Sequence, residues 1–221
     1  MKLAVCFFGQ PRYFDQWIDF NEELYKDCDV DYYAHFWGDV EIEKDINTIF
    51  DPKRIIVEPQ ADIPIEFSYE IDTSKITKSV FITLSPLYSM NRLHSLIETV
   101  DDDYDHWILT RTDIIGKGMS LKELSLNKNE LYTSYVPGEE WLTTHIDNRF
   151  ICGSKQDILD ITKIYSNLDL YLNEEKMPLC QHRLVFRSIR HRQENMNMLV
   201  LDSKDQYGSW FFVRNKVLSS T

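Results

Sequence analysis

The chain has 221 residues, of which 43% are hydrophobic and 13% aromatic, and it carries a formal net charge of -12. This length suits one sizeable hydrophobic core, and the composition excludes a disordered protein. The acidic balance argues against free nucleic acid as a general partner, because such binding needs an excess of Lys and Arg. Four arginines near the end of the chain supply one candidate local basic patch: Arg183, Arg187, Arg190 and Arg192.

The apolar run at the start of the chain is six residues long, which is too short for a signal-peptide core or a membrane span. We therefore expect no transmembrane segment and a cytoplasmic location. The four cysteines are widely spaced and form no Cys-x-x-Cys pair. This pattern predicts reduced, mostly buried thiols.

Apolar runs and amphipathic segments alternate in the first half of the chain. The runs predict strands over 3–8, 30–37, 54–57 and 106–110, with helices over 14–25 and 42–50. Residues 60–84 show little periodicity and predict a loop. Ser85 followed by Pro86 predicts the start of a helix that continues to Val100, because Ser is a favoured N-cap and Pro fits the first turn. This alternation is typical of βαβ units.

The second half of the chain has a looser pattern. It predicts strands over 130–136, 150–152, 198–201 and 210–213, and a helix over 178–190. Ser154 with Asp157 three residues later is a capping-box variant, which predicts another helix start. The chain contains no repeat, linker or clear boundary. We predict one α/β domain, with a Rossmann-like, mostly parallel central sheet flanked by helices.

The loop Gly9-Gln10-Pro11-Arg12 directly follows the first buried run. In open α/β sheets, ligands bind beyond the carboxyl ends of the strands. Gly9 allows a ligand to approach the backbone, Gln10 can bond a base edge or a ribose, and Arg12 offers a bidentate fork to phosphate. An ordinary turn with a surface arginine explains the same residues. The loop matches neither a P-loop nor Gly-x-Gly-x-x-Gly.

The second candidate is Arg111-Thr112-Asp113, at the end of the predicted 106–110 strand. A carboxylate in this position can hold a divalent cation that bridges diphosphate oxygens. Arg111 stands where a second carboxylate would strengthen a metal site, and its guanidinium could itself neutralise diphosphate charge. A local Arg–Asp surface pair is the alternative.

A third candidate is the loop over 139–149, which collects carboxylates, a histidine and a tryptophan. Asp147 lies next to a predicted strand and is the best single candidate for a base near an acceptor hydroxyl. Exposed loops are often charged, so composition by itself is weak evidence. His35 and Trp37 end the second predicted strand and would face the same cleft in a parallel sheet, although a buried, satisfied histidine fits His35 equally well.

Four segments together resemble a group of small glycosyltransferase-like proteins with the GT-A nucleotide-diphospho-sugar transferase fold, found in large viruses, phages and bacteria. The matching segments occur in the expected order within roughly residues 1–165: 4–12, 31–37, 104–113 and 147–154. The resemblance implies a nucleotide-binding half over 1–115 and an acceptor-side half over 116–221. For a viral protein, the cytoplasm would be that of the host.

In the resembled family, an Asp-x-Asp motif binds Mn²⁺ or Mg²⁺ together with the diphosphate of a sugar donor such as a UDP-sugar. The resemblance places this motif at Arg111-Thr112-Asp113, so only Asp113 is carried over as a metal ligand. The 9–12 loop would contact the nucleotide, with Gly9, Gln10, Arg12 and Arg111 around the donor. Asp147 would face the acceptor.

These residues predict a glycosyltransferase that moves a sugar from a nucleotide-diphosphate donor to a hydroxyl of a glycan or small-molecule acceptor. Arg111 and Asp147 are the predicted catalytic residues. The altered first position of the Asp-x-Asp motif leaves a second hypothesis open, a degenerate transferase that binds nucleotide or sugar without catalysis. An α/β protein of unrelated function is a third.

Overall fold

A nine-stranded sheet orders the part of the chain that the computed structural model describes, which is residues 1–60, 80–114, 116–117, 120–135, 147–202 and 210–216. The strands are β1 Lys2–Gly9, β2 Asp29–Trp37, β3 Arg54–Glu58, β4 His106–Thr110, β5 Gly116–Lys117, β6 Leu131–Tyr135, β7 Asp147–Gly153, β8 Met196–Asp202 and β9 Trp210–Lys216. Their order is β3-β2-β1-β4-β7-β6-β8-β9-β5. Five of the eight pairings are parallel, which confirms the mostly parallel sheet.

Helices cover both faces of this sheet. They are α1 Phe14–Asn21, α2 Val40–Phe50, α3 Val80–Ile97, α4 Lys155–Thr162 and α5 Gln181–Ser188. One core packs α1 and α2 against alternate residues of β1, such as Val5 and Phe7, while the opposite core packs α3, α4 and α5 against Ala4 and Cys6. β1 and β4 are therefore buried on both faces, which explains why the sequence of each is an almost continuous apolar run.

The order of the first four strands creates a crevice at the carboxyl edge of the sheet. The chain moves outward from β1 to β2 and β3, and α3 then carries it back to β4 on the other side of β1. The strand order 3-2-1-4 is that of the Rossmann fold, and it reverses between β1 and β4. Ligands of open α/β sheets bind at such a reversal, so the fold directs attention to the loops that follow β1 and β4.

The predicted start of α3 at Ser85 is wrong. The helix begins at Val80 and runs through Pro86, and Ser85 is a buried residue that accepts a hydrogen bond from Gln60 Nε2 at 3.0 Å. Proline in a helix interior removes one backbone hydrogen bond. The buried side chains Leu84 and Leu87 on either side of it favour a continuous helix, because both pack into the same core. Residues 61–79 of the predicted loop lie outside the described residues.

The predicted capping box at Ser154 is confirmed. Its hydroxyl accepts the Asp157 amide at 3.3 Å, and the Asp157 carboxylate accepts the Ser154 amide at 2.9 Å. We expect Ser154→Ala to destabilise the fold by about 1 kcal/mol, since a typical N-cap contributes that much. The melting temperature should fall by about 2–4 °C in calorimetry. Ser95→Ala, at an exposed position of α3, is the control, and equal melting of both variants would contradict the prediction.

The four cysteines are free thiols, and Cys6 and Cys152 are fully buried, as predicted. Burial raises the pKa of both thiols, which leaves them unreactive. Among the described residues, no helix combines the length and apolarity that crossing a membrane requires.

Candidate functional site

The loop after β1 bends sharply at two residues with left-handed backbone conformations. Gly9 has φ +94°, and Tyr13, which precedes α1, has φ 54°. A Cβ on Gly9 would meet no atom within 4 Å, so the conformation rather than space requires glycine. The Arg12 amide donates to the Gln10 carbonyl at 2.8 Å, which closes the turn. The Arg12 side chain is left 64% exposed at the carboxyl edge.

The turn after β4 is tied to this loop and to α1. The Ile114 amide donates to the Arg111 carbonyl at 3.2 Å. The buried Asn21 amide group donates to the Ile114 carbonyl at 3.3 Å, and so fastens the turn to α1. Thr112 is buried, and its hydroxyl lies 3.5 Å from the Gln10 carbonyl. The two loops that the sequence singled out are therefore held side by side.

Asp113 lies between two guanidinium groups. Arg111 Nε donates to Asp113 Oδ1 at 2.8 Å, and the second guanidinium nitrogen of Arg111 donates to Asp113 Oδ2. Arg12 approaches the same Oδ2 at 3.9 Å from the neighbouring loop. The Asp113 side chain is only 16% exposed and that of Arg111 34%. The Arg–Asp pair thus exists, but it belongs to a two-arginine cluster in the crevice rather than to a separate surface pair.

The fit of a divalent cation depends on Asp113, the metal ligand that the resemblance implies. Both of its oxygens accept hydrogen bonds from Arg111, so a cation would stand beside positive charge. Among the described residues, no group of three or more His, Cys, Asp or Glu side chains could hold a metal ion. In the described structure, Asp113 is therefore paired with arginine and stands apart from other potential metal ligands. Its role as a metal ligand stays a prediction, with a test given in the Discussion.

Gln10, predicted to bond a base edge or a ribose, has a partner within the protein. Its amide donates to Gln60 Oε1 at 2.6 Å, and Gln60 in turn donates to the Ser85 hydroxyl. Gln10 and Gln60 are exposed at the edge of the crevice, so a ligand could replace their mutual contact. Sequence reasoning missed the contact between Gln60 and Ser85, because it depends on how α3 packs across β1, β2 and β3.

Asp147 begins β7 and pairs in register with Ser134 of β6, where the register shifts. Since β7 runs antiparallel to β4, with Phe150 opposite Thr110, its first residues lie at the carboxyl edge of β4. Asp147 precedes Phe150 by three residues, which is about 10 Å along the strand. The Asp147 backbone therefore lies at the same edge of the sheet as Arg111. Residues 139–146 of the predicted acceptor loop lie outside the described residues.

The candidate basic patch near the end of the chain is partly neutralised. Arg187 makes a bidentate pair with Glu175 at 2.6 and 2.7 Å. Arg192 pairs with the buried Asp157 at 3.0 Å. Arg187 therefore ties α5 to Glu175, and Arg192 ties the segment after α5 to α4.

His35 is the buried, satisfied histidine that the sequence left as one of two possibilities. It is 0% exposed, with Nδ1 2.7 Å from the Ser89 hydroxyl and Nε2 3.0 Å from Glu58 Oε1. Burial lowers the pKa of His35, although the hydrogen bond to Glu58 acts in the opposite direction. Burial would raise the pKa of Glu58, but hydrogen bonds from His35 and Arg92 hold it below its ordinary value. The ring is therefore neutral and the carboxylate charged at neutral pH.

We expect the protein to lose stability as the pH falls below 6.5, the ordinary histidine pKa. Burial lowers the pKa of His35, His94 and His106 in the folded protein. Below 6.5, the unfolded chain binds more protons than the folded one, so the free energy of unfolding decreases towards acid. Calorimetry between about pH 7.5 and about pH 5.5 covers the window in which histidines titrate. A melting temperature that stays constant or rises on acidification would contradict this.

Comparison with known proteins identifies no family for this chain. No family model matches the sequence, and no curated protein matches it. Among solved structures, the chain is similar to a protein from Desulfovibrio desulfuricans G20 designated a nucleotide-diphospho-sugar transferase. The sequence identity is 10%, the match covers 96% of this chain and 81% of that chain, and the TM-score is 0.46. A likeness at this level supports no activity for this chain, so the fold rests on its own sheet topology.

Proposed function

We propose that this protein transfers a sugar from a nucleotide-diphosphate donor to an acceptor hydroxyl. The observation that carries the proposal is the convergence of Arg12 and Arg111 on one carboxylate, where the strand order reverses between β1 and β4. Residues 1–115 would form the nucleotide-binding half and residues 116–221 the acceptor-side half. The order of the segments that resemble GT-A glycosyltransferases supports the same assignment.

Two guanidiniums beside one carboxylate form a site that already accommodates an anion. A diphosphate offers the same oxygen acceptors with more charge, and Arg forks bind such oxygens in pairs. During transfer, negative charge develops on the leaving diphosphate, and fixed cationic donors in a partly buried crevice stabilise that charge most effectively. Arg111, the less exposed of the two, would stabilise the diphosphate from within the crevice, and Arg12 would do so from its exposed rim.

The transfer step needs a group that stabilises the leaving diphosphate and a group that accepts a proton, and this chain can supply both. The acceptor oxygen forms a bond to the anomeric carbon of the sugar, and the bond from that carbon to the diphosphate oxygen breaks. The bonding electrons leave on the nucleoside diphosphate beside Arg12 and Arg111. The hydroxyl proton passes to a carboxylate, for which we propose Asp147 at the start of β7.

A second candidate function is nucleotide or sugar binding without catalysis. The observation that favours it is Arg111 itself, which stands at the first position of the Asp-x-Asp motif and engages the remaining Asp113 in two hydrogen bonds. A site arranged in this way retains donors for an anion, but it has lost a carboxylate that the resembled enzymes use with their metal.

Thermal-shift measurements with UDP-, GDP-, dTDP- and CMP-sugars, each with and without Mn²⁺, test both candidates. A ligand at 100 times its Kd stabilises the folded state by about 2.7 kcal/mol. CMP-sugars carry a single phosphate and serve as the matched comparison, so we expect the diphosphate donors to stabilise more. Stabilisation followed by slow donor hydrolysis supports the transferase, and stabilisation without turnover supports the binding protein. No response to any nucleotide would contradict both.

A further inference from the structure

A continuous chain of hydrogen bonds runs beneath the candidate donor site, from the outer edge of β3 to the first residue of the 9–12 loop. Arg92 of α3 donates to both oxygens of Glu58 at 3.2 Å, and Glu58 contacts His35 Nε2 at 3.0 Å. His35 Nδ1 lies 2.7 Å from the Ser89 hydroxyl, which accepts the Gly9 amide at 2.7 Å. These hydrogen bonds therefore join β1, β2 and β3 to α3 near the carboxyl edge of the sheet.

The direction of each hydrogen bond follows from the chemistry of its ends. The Glu58 carboxylate can only accept, so the neutral His35 ring carries its proton on Nε2. His35 Nδ1 is then an acceptor, and the Ser89 hydroxyl donates to it at 2.7 Å in preference to the His35 carbonyl, which lies 3.3 Å away. The Ser89 oxygen keeps lone pairs for the Gly9 amide. Each hydrogen bond between Glu58 and Gly9 thus has one donor and one acceptor, and the Ser89 hydroxyl is held in an orientation that leaves its oxygen to accept from Gly9.

Burial limits what these residues can do. His35 and Ser89 are each 0% exposed, so neither can touch a ligand. Their route to the site is the Gly9 amide, the point at which the backbone turns into its left-handed conformation. The same loop then presents Arg12 to Asp113. A shift of the Gly9 backbone would therefore displace Arg12 relative to Arg111.

We propose that Ser89 and His35 are positioning residues of the donor site, which hold the Gly9 amide and thereby the loop that carries Arg12. This inference rests on the proposed function, because it assigns the loop to the nucleotide-diphosphate donor. Ser89 acts directly on Gly9, and His35 acts through Ser89.

Two amide substitutions of His35 separate positioning from packing. Each removes the ring, which packs edge-to-face on Trp37 at 4.9 Å, so both should lose stability. The shorter amide in His35→Asn can replace Nδ1 and keep a contact with Ser89, whereas the longer amide in His35→Gln replaces Nε2 and keeps Glu58. Ser89→Ala removes the acceptor of the Gly9 amide outright.

The readouts are the hydrogen-exchange rate of the Gly9 amide by NMR and the Kd for UDP, GDP, dTDP and CDP by calorimetry. In Ser89→Ala and His35→Gln, we expect Gly9 exchange and the Kd of the best nucleotide each to rise about tenfold, the effect of losing one typical hydrogen bond. In His35→Asn, both should stay within about twofold of the wild type.

His94 of α3, the helix that also carries Ser89, provides a matched control for His35. It is buried, its Nδ1 lies 2.9 Å from the Thr162 hydroxyl, and its Nε2 lies 3.5 Å from Glu98, so it repeats the hydroxyl–imidazole–carboxylate arrangement towards α4. His94→Asn and His94→Gln should lower the melting temperature without changing Gly9 exchange or nucleotide affinity.

The possible failures differ from one another. Unchanged Gly9 exchange in Ser89→Ala would overturn the positioning role, even if nucleotides bind. Equal losses of affinity in His35→Asn, His35→Gln and the His94 variants would show a purely structural role and overturn it as well. If the wild type binds none of the four nucleotides, the proposed function fails with the donor site, while Gly9 exchange still decides whether the chain holds the loop.

Discussion

Arg111→Ala is expected to weaken nucleoside-diphosphate binding by about 100-fold and to abolish sugar transfer. Hydrogen bonds to charged groups contribute about 1.5–3 kcal/mol each, and a guanidinium offers a diphosphate two of them. The substitution also leaves Asp113, with a side chain only 16% exposed, facing the anion with Arg12, 3.9 Å away, as its remaining cationic neighbour. Calorimetric titration of the nucleotide measures the first effect, and donor consumption measures the second.

Two further substitutions calibrate the loss at Arg111. Arg111→Lys keeps the charge but not the planar fork, so its affinity should fall between the wild type and the alanine variant. Arg187→Ala removes an arginine of α5 that is also bidentate to a carboxylate, that of Glu175, and that lies outside the candidate site. We expect it to leave nucleotide affinity unchanged. Equal effects of Arg111→Ala and Arg187→Ala would show that Arg111 has no special role in binding.

Asp113→Ala is expected to abolish transfer and donor hydrolysis. In the arrangement described above, the carboxylate fixes the Arg111 fork in the crevice, and without it the guanidinium loses the orientation on which charge stabilisation depends. Normal turnover in this variant would contradict both that role and the metal-ligand role. Melting of the variant at the wild-type temperature would show that the loss of transfer is not a loss of folding.

Asp113→Asn distinguishes the two roles of the carboxylate. The substitution keeps the size of the side chain and removes a negative charge next to the bound diphosphate. If Asp113 only orients Arg111, nucleotide affinity should be the same in EDTA and in Mn²⁺, for the wild type and for the variant alike. If Asp113 holds a cation, Mn²⁺ should increase the affinity of the wild type and not of the variant. Titrations with EDTA and with Mn²⁺ therefore decide the metal prediction.

Local sequence features were enough to predict most elements of the sheet. β1, β2 and β4 are largely apolar runs, as expected for strands that are buried on both faces. Glycine or polar residues end each run. The capping box at Ser154 was also readable, because both of its hydrogen bonds span three residues. Pro86 misled the prediction of α3, since local propensity places proline in a first turn while long-range packing of Leu84 and Leu87 keeps the helix continuous.

The sequence by itself determined that the loops after β1 and β4 carry Arg12, Arg111 and Asp113, because each loop directly follows a buried run. Only the tertiary structure decided that both guanidiniums converge on Asp113, since this depends on β1 and β4 being neighbours in the sheet. The same is true of Ser89 and His35, which are 54 residues apart and meet only when α3 packs across β1 and β2. Contacts of this kind arise from packing between distant segments, and no local pattern encodes them.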